Sequence, residues 1–139
     1  MLVARKPIAG NCELVIDETA IGRPVGDFFD IAGLRPTRVC ITSGLEQSFV
    51  NGSWHVPKQV LVSTLDARLH SGELGFAKEL HEAGAMEGEL QDFQRKVSAA
   101  GRYTYEARVG KHDDLVLAVC ISVFAALNRQ TSSFAPLGI

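Results

Sequence analysis

Apolar residues in this chain come in short runs whose period switches between two and about 3.6, and the switches mark out alternating strands and helices. Glu13-Leu14-Val15-Ile16-Asp17 reads as a short buried strand that ends on an aspartate. A helix follows from about residue 25 to 32, Gly33 stops it, and residues 38–42 make a second buried strand. This strand-helix-strand unit predicts parallel pairing. Residues 45–50 and 53–56 flank Asn51-Gly52, a two-residue hairpin signal. Pro57 suits the first position of a helix that runs to about Ser71, carries Val60, Leu61, Leu65 and Leu69 on one face, and stops at Gly72. Residues 74–77 read as a short strand, and residues 78–99 as a long helix buried through Met86, Leu90, Phe93 and Val97. Gly101 follows, and residues 102–109 alternate as a strand with an exposed face. The last helix, from Leu115 through Phe124, has almost no polar face, which predicts that it lies between other elements with its first turn carried into the interior. The predicted class is α/β.

Two adjacent carboxylates head that last helix, in Gly110-Lys111-His112-Asp113-Asp114-Leu115. An N-cap plus a first-turn acid accounts for one aspartate comfortably and for two adequately. Asp17 adds a second consideration. In open α/β sheets ligands gather beyond the carboxyl ends of the strands, where a strand-end aspartate projects. A strand-end acid and a helix-start acid can therefore share a metal site. Such hard oxygen ligands suit Mg²⁺ or Mn²⁺, and a pair of these ions activates water and stabilises the leaving oxygen in phosphodiester cleavage.

Taken together, Asp17-x-Thr19-x-x-Gly22-x-Pro24-Val25, Trp54-His55-Val56-Pro57-Lys58, Glu89-Leu90-x-x-Phe93 and the Gly110 to Leu115 segment resemble the ribonuclease H-like nuclease domain of phage large terminase subunits. The resemblance covers roughly residues 1–127, with 128–139 expected as a polar, frayed tail. It implies a mixed sheet flanked by helices and a metal-dependent DNA endonuclease that cuts concatemeric phage DNA during packaging. The complete family site implies two divalent ions and three acidic positions. The middle one matches Asp17; the last matches Asp114 better than Asp113, which becomes an auxiliary ligand or cap. The first should lie on the opening strand of a three-stranded N-terminal meander. About a dozen residues precede the strand of Asp17, so the meander and its acid are expected to be missing from this chain, and residues 1–10 resemble the helix end and loop that follow it. Ala20 stands where the family usually has glycine, which alters the backbone available to the loop after Asp17.

Composition narrows the class without naming a chemistry. The chain has 139 residues, 46% hydrophobic and 22% charged, as expected for one globular domain. A net charge of −2 exerts no global pull on DNA, so any contact with phosphates needs a local basic group. Candidates are Lys58 at a helix start and Arg108 and Lys111 around the Asp-Asp turn, with ordinary surface charge as the alternative for each. His112 is placed as a hydrogen-bond partner behind the carboxylates. Trp54 is expected to pack the hairpin, and Glu18 and Asp27 to be solvated or helix-start acids. Cys12, Cys40 and Cys120 sit in apolar segments without CxxC spacing, which favours reduced core thiols in a cytoplasmic setting, and the resemblance implies a phage or prophage protein in a bacterial host. No apolar run is long enough to span a membrane. Lacking its meander, the strand of Asp17 should present an edge that is covered either by residues 1–9 folding back or, as the favoured alternative, by a second copy of the chain in a homodimer. The alternative to a nuclease is a non-catalytic prophage remnant or a partner-binding α/β domain.

Overall fold

The computed structural model describes residues 12–19, 23–97, 99, 101, 103–107, 110 and 112–129. Its centre is a four-stranded mixed sheet in the order β1-β2-β4-β3, formed by β1 (Val15–Asp17), β2 (Thr37–Thr42), β3 (Ser48–Val50) and β4 (Ser53–Pro57). β1, β2 and β4 run parallel, with Ile16 opposite Arg38 and Val39 opposite Trp54; β3 pairs antiparallel with β4. The hairpin joining β3 to β4 turns on Asn51 and Gly52, whose φ angles of 52° and 83° are those of the type I′ turn that Asn-Gly favours.

Alternation sorts the strands onto two faces. Val39 and Val56 are fully buried and pack with α4 (Asp114–Leu127) and α2 (Lys58–His70). Trp54 on the same face meets Phe124 edge-on at 5.4 Å between ring centroids and Phe49 of the hairpin at 5.0 Å. The opposite face carries Arg38, paired in register with Ser53, and there α1 (Arg23–Ile31) comes close through Gly26. A Cβ on Gly26 would lie 2.5 Å from Glu18 Oε1 and 2.6 Å from the Arg38 guanidinium, so a side chain there would have to push the ion pair aside.

Three expectations change in the fold. Residues 74–77 form no strand. The long helix expected over 78–99 is α3 (Ala83–Asp92), which ends where Phe93 turns extended at φ −77° and ψ 117°. From there β5 (Phe93–Val97) pairs antiparallel with β6 (Tyr103–Ala107) as a separate two-stranded ribbon. Phe93 stacks on Tyr105 at 6.3 Å, and this cross-strand pairing overrides the helical leaning of Gln94, Arg95 and Lys96. Finally, α4 is not enclosed. It buries a single stripe through Val116, Cys120, Ile121, Phe124 and Ala125 and turns Ala118, Ser122 and Ala126 outward, so its first turn sits at the rim of the domain. No described helix is long and apolar enough to cross a membrane. Of the cysteines, Cys120 is buried and Cys40 half-buried, but Cys12 is exposed rather than a core thiol, because it precedes the first strand.

Candidate functional site

The direction of α4 carries its first turn toward the carboxyl end of the sheet. Arg129, just past the end of α4, donates from Nε to Glu13 Oε2 at 3.1 Å, just ahead of β1. With its far end tied to the start of the strand and its side packed on β1, α4 runs back along it toward the carboxyl edge of the sheet. At its other end Asp113 accepts a 2.9 Å hydrogen bond from Lys58 Nζ. Lys58 follows directly on the last residue of β4, so the pair marks the carboxyl end of a strand parallel to β1. Asp17 and Lys58 thus end strands two positions apart in the sheet, roughly 10 Å in the hydrogen-bonding direction, but Asp17 is level with Val39 and through it with Trp54, so Lys58 stands about 13 Å further along the strand direction.

Asp17 is exposed and held in one orientation. The backbone N–H of Thr19 donates to Asp17 Oδ1 at 2.8 Å, and the Thr19 hydroxyl donates to the same oxygen. That hydroxyl in turn accepts the N–H of Ile41 at 2.8 Å. The loop after β1 is therefore laced to β2, and among the described residues both hydrogen bonds to Asp17 fall on Oδ1.

The two helix-start aspartates do different things, and neither caps the helix with its side chain. Asp113 occupies the N-cap position with no side-chain capping bond. The free N–H groups of Leu115 and Val116 instead donate to Glu89 Oε2 of α3, at 2.9 and 3.1 Å. Capping, the structural explanation for an Asp-Asp start, thus belongs to a third acid from another helix, one that sequence reasoning placed only within a motif. Asp114 keeps 86% of its side chain exposed; among the described residues its charged neighbour is His112, 84% exposed, with Nδ1 3.8 Å from Oδ2. Lys58 also lies over the Phe93 ring, 5.5 Å from its centroid. Arg108 and Lys111 lie outside the described residues.

Glu18, expected to be solvated, is buried. Its carboxylate accepts from Arg38 at 3.0 Å and from the Ser53 hydroxyl at 2.7 Å, while Arg38 also bridges to Asp27 and Asp30 on α1. Burial alone would lower the pKa of Arg38, but hydrogen bonds and attraction from Asp27, Asp30 and Glu18 outweigh it and raise the value above its usual 12.5. Beneath the site, burial pushes the Cys120 thiol up to about 12, with Lys58 pulling it down and Asp113 adding to the rise.

The donor set suits a hard cation by type, being carboxylate oxygen. Among the described residues no group of three His, Cys, Asp or Glu side chains could hold a metal ion. Two carboxylates are nonetheless compatible with Mg²⁺, which keeps several waters and commonly takes one or two carboxylates plus substrate phosphate oxygens. Comparison of the chain with family models, with curated proteins and with solved structures finds no match.

Proposed function

We propose that this chain is a ribonuclease H-like, metal-dependent DNA endonuclease of the phage large terminase kind. The observation that carries the reading is the capping of α4 by Glu89, which leaves Asp114 exposed and without a capping role at the helix start. Exposed carboxylates without a folding role are what a cation site needs.

In this reading Asp17 and Asp114 would hold Mg²⁺ or Mn²⁺, which when bound supplies an activated water and charge neutralisation at the phosphate. Thr19 fixes the Asp17 carboxylate so that it meets the cation without first being reordered. Glu89 holds the first turn of α4 and so sets where Asp114 projects. Lys58 supplies a positive charge close to the path of the DNA backbone.

A second reading, a non-catalytic prophage remnant, draws on the missing third ligand among the described residues and on the position of β1 at the sheet edge. It assigns that edge to an added strand, a second copy of the chain first of all.

Nicking of supercoiled plasmid with Mn²⁺ separates the two. Weak cutting that is abolished by both Asp17→Ala and Asp114→Ala is the expected result. Robust cutting that survives Asp114→Ala overturns the site. A wild-type chain that does not cut and pairs as a dimer in light scattering assigns the remnant reading.

A further inference from the structure

Resting on the nuclease reading above, we infer that the two adjacent aspartates divide the work: Asp114 faces the metal, while Asp113 is a positioning residue that holds Lys58 as the site's own cation toward a substrate phosphate. The geometry distinguishes the two side chains sharply. Asp113 Oδ2 lies 2.9 Å from Lys58 Nζ, and the pair is half-buried, with 25% and 28% of the respective side chains exposed. Asp114 is 86% exposed and free of any lysine or arginine among the described residues. Asp113 is the N-cap with a non-helical backbone, φ −134° and ψ 16°, while Asp114 is the first helical residue, so the two carboxylates leave the chain from different backbone conformations.

Lys58 is constrained on two sides. Its ammonium meets the Asp113 carboxylate and lies over the Phe93 ring, so the flexible stem is ordered before any ligand arrives. A lysine fixed in this way adds a phosphate contact at lower entropic cost than a free surface lysine. A cation on Asp113 would also have to displace that ammonium and leave it close to a like charge, whereas a cation on Asp114 displaces only water. Two helices and the ribbon contribute to the arrangement: α2 brings Lys58, α4 brings Asp113, and β5 brings Phe93.

Three measurements on the full chain test the division. Mn²⁺ affinity by calorimetry should fall tenfold or more in Asp114→Asn and change by less than about threefold in Asp113→Asn. Side-chain NMR of the Lys58 Cε group should show the reverse, with order lost in Asp113→Asn and kept in Asp114→Asn. Duplex DNA binding followed against salt should lose about one phosphate contact, a slope change of roughly 0.9, in Lys58→Gln and keep it in Lys58→Arg. If Asp113→Asn costs as much Mn²⁺ affinity as Asp114→Asn, or if Lys58→Gln tightens Mn²⁺ binding through Asp113, the division is wrong. A wild-type chain that binds no Mn²⁺ refutes the nuclease reading instead, and Lys58 order that is unchanged in Asp113→Asn refutes the positioning role by itself.

Discussion

Asp17 and Glu18 are consecutive acids at the end of β1, yet one points into water and the other into protein. Glu18 is 7% exposed and its carboxylate is satisfied by Arg38 and Ser53, in a cluster that locks α1 to the sheet through the gap left by Gly26. Asp17 engages one oxygen with its own loop and is exposed to solvent. Charge of the same sign thus serves two ends. A buried carboxylate must be fully paired, because an unpaired one costs more than folding can supply, whereas an exposed one costs little and stays free to bind. Burial and the engagement of both carboxylate oxygens, rather than residue type, separate structural acids from candidate ligands here.

The largest expected effect breaks the buried side of the contrast. Glu18→Ala strands Arg38 beside only Asp27 and Asp30, and should destabilise the fold by about 3–5 kcal/mol, read as a lower urea midpoint at constant slope. Next comes alkali. The folded state keeps a proton on Cys120 up to about 12, while the unfolded thiol releases it near 9.0. Stability is therefore intact below 9.0 and falls as pH rises through that window, by about 1.4 kcal/mol per pH unit. Cys120→Ala should flatten this slope, whatever it does to stability at neutral pH.

Smaller effects sharpen the exposed side. Glu89→Ala removes the cap of α4 and should cost about 1–2 kcal/mol, visible as faster amide exchange at Leu115 and Val116. Asp114→Asn should change stability by no more than about 0.5 kcal/mol while lowering Mn²⁺ affinity. A cost for Asp114→Asn as large as that for Glu89→Ala would place Asp114 among the structural acids and erase the contrast.

Local chemistry along the chain was enough for several elements. The hydrophobic period and a connecting helix called for parallel β1 and β2, Asn51-Gly52 called for the hairpin, and the positions of Asp17 and Asp114 at a strand end and a helix start were legible for the same reason. These features rest on residues within a few positions of one another, where dihedral preference and side-chain period act directly. Three outcomes rested instead on distant partners. The turn of residues 93–97 from helix to strand waited on β6; the burial of Glu18 waited on Ser53, 35 residues away; the capping of α4 waited on Glu89, 26 residues before Leu115. The tie between Lys58 and Asp113 spans 55 residues. By itself the sequence determined which acids stand at element ends. Only tertiary structure decided which of them are spent on folding and which face outward, because a carboxylate's cost depends on the donors that packing brings to it, and no local pattern encodes those.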